Sequence, residues 1–100
     1  MELNVGNVVT VKSEILGCKI GTKGVVYNLY PDFDEPMRFG ASIIFENGKY
    51  DGFSVNDQEL FLNEESVKCI PFYIRGYKFI NVMKLSQDFE KDYWGEIFNQ

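Results

Sequence analysis

The sequence predicts a small mainly-β domain of five short antiparallel strands followed by a C-terminal α-helix. Short runs rich in valine, isoleucine and aromatic residues recur through the first half of the chain, punctuated by glycine, proline and asparagine. The dipeptide Asn47-Gly48, a strong hairpin signal, separates two of these runs. From Leu85 onward the apolar residues are spaced three to five apart, which is typical of an amphipathic helix.

The first two strands are predicted at 5–12 and 22–30. Val9 and Val11 lie two residues apart, so they share one face of the first strand. Gly24 lies inside the second strand, where a glycine indicates a bulge or a close approach of backbone. The glycine-containing segment between the two strands is predicted to be a loop.

The third and fourth strands are predicted at 39–46 and 49–53, joined by a two-residue type I′ turn. That turn requires a positive φ at both Asn47 and Gly48. Alternation with polar neighbours predicts which strand residues form the core. The predicted core residues are Val9, Val11, Val25, Ile43, Phe45 and Val67.

The segment after the fourth strand is predicted to form one helical turn, with Ser54 or Asn56 as its N-cap. A fifth strand is predicted at 66–70. The next residues, 73–80, form a predicted hairpin that turns at Gly76.

The C-terminal helix is predicted within 85–99 and begins with Ser86 as its N-cap. Its apolar stripe is expected to pack on the strands, or to form a homodimer if it does not. The chain is therefore read as one domain, with the strands in 1–84 and the helix in 85–100. The stripe residues are Leu85, Phe89, Tyr93 or Trp94, and Ile97.

The charge of the chain is uneven. The net charge is −5, but residues 31–66 carry nine acids and two bases, and residues 67–84 carry four bases and no acid. An acidic surface repels phosphate backbones, which disfavours general nucleic-acid binding. The acidic and basic blocks either neutralise each other in the fold or leave an acidic face for a basic protein partner.

The residue types that catalysis most often uses are scarce. The chain has no histidine, and Cys18 and Cys69 fall outside any CxxC or metal-ligand spacing. We therefore expect no enzymatic activity, no metal and no cofactor. Both cysteines are expected to be free thiols. With no apolar run of membrane-spanning length and no signal-peptide pattern at Met1–Asn4, a cytoplasmic location without membrane contact is expected.

Five short strands with a single turn before the last strand resemble a small SH3-like barrel. The first 26 residues resemble the opening of a KOW-type barrel, in which glycines allow a tight turn between the first two strands and valines fill the barrel. The KOW resemblance implies this fold, and it implies RNA or the transcription and translation machinery as partners. The matching pattern is Gly6-x-x-Val9-x-Val11, Gly17, and Gly21-x-x-Gly24-x-Val26.

Two segments resemble CAP-Gly domains more weakly. In that family a groove formed by Gly-Lys-Asn-Asp-Gly binds acidic C-terminal tails. Here Tyr50 stands where that family has asparagine, and the tryptophan expected between the segments is missing. A hairpin turn and small residues at a barrel corner explain the same residues. The two segments are Gly21-Thr22-Lys23-Gly24-Val25-Val26-Tyr27 and Gly48-Lys49-Tyr50-Asp51-Gly52.

The predicted partner surface is a loop fixed by two prolines that combines aromatic rings with carboxylates. Aromatics supply anchors, and carboxylates steer a basic partner toward them. An alternative interpretation is a solvated acidic loop whose Phe33 closes the end of the barrel. The predicted partner-binding residues are Tyr30, Asp32, Phe33, Asp34 and Glu35, with Asp51 and Asp57 nearby.

A second stretch interleaves basic and aromatic side chains, as proteins that grip single-stranded nucleic acid do. A strand that alternates core aromatics with surface charges has the same pattern. The sequence therefore predicts a non-enzymatic binding module for a basic protein, of the size and charge of immunity proteins or phage inhibitors. The alternative is a KOW-like accessory of transcription or translation that binds RNA through Phe72, Tyr73, Arg75, Tyr77 and Lys78.

Overall fold

The computed structural model of the chain describes residues 2–76 and 78–90, without the side chains of residues 66, 78 and 88–90. Its elements, in chain order, are β1 (Asn7–Val11), β2 (Lys23–Pro31), β3 (Phe39–Phe45), β4 (Tyr50–Phe53), α1 (Val55–Phe61), β5 (Leu62–Lys68), β6 (Pro71–Ile74), β7 (Lys78–Asn81) and α2 (Val82–Glu90).

The first five strands form one antiparallel sheet in the order β4-β3-β2-β1-β5. The predicted five-stranded antiparallel sheet and the C-terminal helix are therefore confirmed. Closure into a barrel is not, because β4 and β5 stand at opposite edges of the described sheet. β6 and β7 form a separate antiparallel hairpin, as predicted, and Gly76 in its turn has a φ of 85°.

Both faces of the main sheet are buried. The first hydrophobic cluster contains Val9, Val11, Ile43 and Phe45 from one face, with a half-buried Leu29 packed against it. The second cluster lies on the other face and joins the sheet to β6, β7 and α2. It contains Val25, Tyr27, Ile44, Phe72, Ile74, Ile80, Val82 and Leu85. Double burial explains why six consecutive residues of β3 are buried rather than alternating.

Five of the six predicted core residues are buried, and the prediction for Val67 is wrong. Val67 is 57% exposed. The reason is that α1 runs directly into β5, which begins at Leu62 rather than at residue 66. Leu62 pairs with Val11 and is buried in the first cluster, while the later part of β5 lies along an irregular register with β1.

Gly24 lies where the side chains of β3 closely approach the backbone of β2. A close approach was one of the two roles predicted for this glycine. A Cβ at this position would lie 2.7 Å from Cδ1 of Phe45 and 2.9 Å from Cγ2 of Ile43. The register shift between β2 and β3 lies further along the strand, between Val26 and Asn28. Gly24 therefore lets the large side chains of β3 pack across β2.

The predicted two-residue turn at Asn47-Gly48 is wrong. Gly48 has a φ of 86°, but Asn47 does not have a positive φ. The Phe45 carbonyl accepts from Gly48 N at 2.8 Å, and Phe45 N donates to the Lys49 carbonyl at 2.8 Å. Residues 46–48 therefore form a three-residue turn between β3 and β4, and its last residue is a glycine in the left-handed region. Only one residue then needs a positive φ.

The helical turn after β4 is confirmed as α1, and Ser54 is its N-cap. The Ser54 hydroxyl accepts from Asp57 N at 3.1 Å.

The predicted start of α2 is wrong, because the helix begins at Val82 and Ser86 lies within it. Asn81, the last residue of β7, takes the capping role, since its Oδ1 accepts from Lys84 N at 3.0 Å. Leu85 is buried as predicted. The side chain of Phe89, the rest of the stripe at 93, 94 and 97, and the predicted end of the helix lie outside the described residues.

Candidate functional site

The β2–β3 connection, residues 32–38, is called the hairpin loop below, and Asp32 fixes its backbone. One carboxylate oxygen, Oδ1, accepts from Asp34 N at 2.8 Å and from Glu35 N at 3.1 Å. Asp32 N donates to the Arg38 carbonyl, and Arg38 N donates to the Glu35 carbonyl, both at 3.1 Å. The loop is therefore held from inside by its own first residue, as an Asx turn is.

The second carboxylate oxygen of Asp32 ties the hairpin loop to α1. Its Oδ2 accepts from Val55 N, the first helical amide, at 2.8 Å. This bond, together with those from Asp34 N and Glu35 N and the nearby Arg38, lowers the pKa of the Asp32 carboxyl. Asp32 is a predicted partner-binding residue, and in the structure both of its carboxylate oxygens accept hydrogen bonds from backbone amides of the chain.

Two side chains of the hairpin loop point entirely into solvent. Phe33 is 100% exposed and Met37 is 98% exposed. Phe39, the first residue of β3, is 54% exposed. The alternative in which Phe33 closes the end of the sheet is therefore wrong. Three large apolar side chains within seven residues of chain form the most concentrated exposed apolar segment of the described chain.

Tyr30 lies half-buried beside the hairpin loop, over two glycines. A Cβ on Gly40 would collide with the Tyr30 ring, and a Cβ on Gly52 would lie 3.0 Å from its hydroxyl oxygen. Burial raises the pKa of the Tyr30 phenol, and the carboxylates of Asp32, Asp51 and Asp57 raise it further. The structure thus brings the carboxylates of three predicted site residues close enough to act on the Tyr30 phenol.

The remaining acidic residues of the prediction lie at the surface. Asp34 and Glu35 are exposed in the hairpin loop, and Asp51 is exposed on β4, where its Oδ1 accepts from Gly52 N at 2.7 Å. Asp57 is half-buried in the first turn of α1. Asp34 and Glu35 follow Phe33 in the loop, and the charges of Asp51 and Asp57 act on the Tyr30 phenol.

Two contacts that the sequence does not predict hold α1 in place, one against the ends of β3 and β4 and the other against the hairpin loop. The buried Gln58 amide donates through Nε2 to the carbonyls of Phe39 and Phe53, both at 3.1 Å. Arg38 Nη2 lies 3.7 Å from Glu59 Oε1. A glutamine in an otherwise polar turn carries no signal of burial. Met37 was missed as well, since its residue type does not indicate its φ of 64°.

The alternative surface, on β6 and β7, is divided between core and solvent. Phe72 is buried in the second cluster, whereas Tyr73 and Phe79 are exposed with ring centroids 5.4 Å apart. Arg75 is exposed, and its Nη2 lies 3.6 Å from Glu46 Oε1. Tyr77 and the side chain of Lys78 lie outside the described residues. The described outer face therefore offers one aromatic pair and one arginine.

The described residues hold few groups suited to catalysis. No group of three or more His, Cys, Asp or Glu side chains among them is placed to hold a metal. Both cysteines are free thiols. Burial raises the pKa of the Cys18 thiol, although its Sγ accepts from Asn47 Nδ2 at 3.2 Å. A thiol with a raised pKa is a poor nucleophile.

In residues 2–76 and 78–90, no helix has both the length and the apolar character needed to cross a membrane. Comparison with known proteins finds no matching family model, no matching curated protein and no matching solved structure.

Proposed function

We propose that this chain is a small, non-enzymatic, protein-binding module that captures a basic protein through the hairpin loop. One observation carries the proposal. Asp32 accepts hydrogen bonds from two amides of the loop and from one amide of α1, yet Phe33 and Met37 are almost entirely exposed to solvent. A fixed backbone that presents apolar side chains loses little conformational entropy on binding.

The two exposed apolar side chains supply part of the free energy of binding. Burying a Phe or Met side chain is worth about 1.5–3 kcal/mol each. Exposed large apolar groups that cluster on a surface mark interaction sites. Phe33 and Met37 are therefore the anchors of the proposed interface.

Charge selects the partner. Asp34 and Glu35 are exposed on the same loop as the anchors, Asp51 is exposed on β4, and the whole chain carries a net charge of −5. A basic partner is attracted by this field, which raises the association rate more than it strengthens the final complex. Immunity proteins and phage inhibitors that neutralise a basic target are the class of protein whose size and charge fit this proposal.

We also propose that the sheet belongs to the SH3-like class in a partly open form. The strand order β4-β3-β2-β1-β5, with a helical turn between β4 and β5, supports it. The KOW-like opening is supported by the positive φ of Gly6 and Gly21 and by the close packing at Gly24.

A second candidate function is favoured by the outer face of β6 and β7. The Tyr73–Phe79 ring pair beside Arg75 offers a stacking platform and a cation, which is how single-stranded RNA is bound. This KOW-like alternative is opposed by the net charge of the chain, and Arg75 already faces Glu46.

Two exposed phenylalanines make a matched test. Phe33→Ser removes the proposed anchor, and Phe79→Ser removes an exposed ring of the alternative surface. The wild type and both variants are immobilised and incubated with a lysate of the source cells, and bound proteins are identified by mass spectrometry. Single-stranded oligouridine binding is measured in parallel over a range of salt concentrations.

The proposal expects basic proteins that bind the wild type and Phe79→Ser but not Phe33→Ser. With the captured protein purified, Asp34→Lys combined with Glu35→Lys slows association and flattens its salt dependence, whereas Phe33→Ser speeds dissociation. Capture that is indifferent to Phe33 contradicts the proposal. Oligouridine binding that is lost in Phe79→Ser supports the RNA alternative instead.

A further inference from the structure

A groove opens beside the hairpin loop, next to the first hydrophobic cluster. It has a volume of about 270 Å³. Leu3 and Leu29 line it and pack into the first cluster, while the exposed side chains of Met37 and Phe39 line it on the solvent side. The groove is smaller than pockets that enclose a whole drug-sized molecule, so it suits one or two side chains.

Met37 is held in a backbone conformation that its residue type disfavours. Its φ of 64° lies in the left-handed region, which glycine adopts freely and methionine does not. The exposed Met37 side chain makes little packing contact that offsets this strain. Backbone strain at a residue whose side chain faces solvent supports a functional role for that side chain.

The charges near the groove favour a cationic occupant. Arg38 lines the groove, but Glu59 lies beside its guanidinium and offsets its charge. Glu2 also lines the groove and is exposed. Asp34 and Glu35 are exposed on the adjoining loop, where they add further negative charge.

We propose that this groove binds an extended segment of the partner protein in which aliphatic residues alternate with Lys or Arg. The proposal rests on the proposed function and names the partner chemistry at that site. Successive side chains of an extended segment point to opposite sides. The aliphatic side chains on one side of the segment then enter between Met37 and Phe39. The basic side chains start from the other side, and their long flexible stems reach back to the exposed carboxylates of Glu2, Asp34 and Glu35.

Three synthetic peptides test the chemistry of the occupant. The ¹⁵N-labelled protein is titrated with acetyl-Leu-Lys-Leu-Lys-Leu-amide and followed by two-dimensional NMR. We expect saturable shifts of the amides of Leu29, Met37 and Phe39. The matched peptides acetyl-Leu-Glu-Leu-Glu-Leu-amide and acetyl-Ser-Lys-Ser-Lys-Ser-amide are expected to bind at least about tenfold more weakly, because each lacks one part of the recognised chemistry.

A substitution at Met37 separates binding from folding. Met37→Gly relieves the left-handed strain, so the melting temperature is expected to stay the same or rise. Affinity for the Leu-Lys peptide is expected to fall about tenfold. Met83→Ala changes an exposed methionine on α2 and is expected to leave the affinity unchanged.

The proposal is overturned if the Leu-Lys peptide leaves the groove amides unshifted, if the acidic peptide binds as well, or if Met37→Gly binds the peptide as the wild type does. These results leave the proposed function standing when protein capture still depends on Phe33. If capture is also indifferent to Phe33, both proposals fall.

Discussion

Replacement of Gln58 by methionine tests the contact that holds α1 against the ends of β3 and β4. Gln58 is 1% exposed, and its Nε2 donates to the carbonyls of Phe39 and Phe53 at 3.1 Å each. Methionine has a similar length and no donor, so the substitution removes both hydrogen bonds without opening a large cavity. The two carbonyls then lose a partner that the fold places between them.

The expected cost follows from how well water can replace the amide. The hydrogen bond to the Phe53 carbonyl is buried, so leaving this carbonyl without a donor is expected to lower the free energy of unfolding by about 1–3 kcal/mol. The Phe39 carbonyl lies nearer solvent, so its loss is about 0.5–1.5 kcal/mol. The free energy of unfolding is therefore expected to fall by about 1.5–4.5 kcal/mol, a large part of the roughly 5–15 kcal/mol typical of a domain.

Urea unfolding followed by circular dichroism measures this cost, and the midpoint is expected to shift with little change in slope. Glu59→Gln is the matched control, because it changes the neighbouring exposed side chain and is expected to cost under about 1 kcal/mol. A Gln58→Met protein within about 0.5 kcal/mol of the wild type would refute the idea that this amide holds the site together.

Three further predictions concern the loop and the turns. The lowered pKa of Asp32 gives the fold a stabilising contribution that is fully present above the ordinary pKa of 3.8. This contribution is lost as the pH falls through the lower pKa of the folded state. Urea unfolding of Asp32→Asn is therefore expected to depend less on acidic pH than that of Asp34→Asn. Gly24→Ala forces a Cβ against the Phe45 ring and is expected to cost about 1–3 kcal/mol in the same assay. Gly48→Val is expected to cost at least about 1 kcal/mol, since a β-branched residue resists a φ of 86°.

Local signals in the sequence predicted much of the fold. Alternating valines located β1, the N-cap at Ser54 located α1, and Gly76 located the turn of the β6–β7 hairpin. The error at Val67 came from non-local structure. Leu62 follows α1 directly, pairs with Val11 and is buried, whereas Val67, further along β5, is exposed. The spacing of apolar residues within 62–68 does not indicate how β5 pairs with β1.

The composition of the sequence indicated where the candidate site lies, but not which contacts hold it in place. A loop with two prolines and three acids indicated where Phe33 would lie, and the structure leaves that ring fully exposed. The role of Asp32 required knowledge of Val55, which is 23 residues away in sequence and donates its amide to the carboxylate. The left-handed Met37 has no signal in the sequence, because a methionine does not indicate a positive φ.

Stability and recognition use different side chains at this end of the sheet. Asp32 and Gln58 accept or donate hydrogen bonds within the chain, so changes to them alter the position of the loop and the free energy of unfolding together. Phe33 and Met37 face solvent, so their truncation removes little that folding requires. A variant that loses binding at full stability therefore identifies an anchor. A variant that loses both binding and stability identifies a residue that positions the anchors. Anchors and positioning residues can be told apart because the first face solvent and the second bond within the chain.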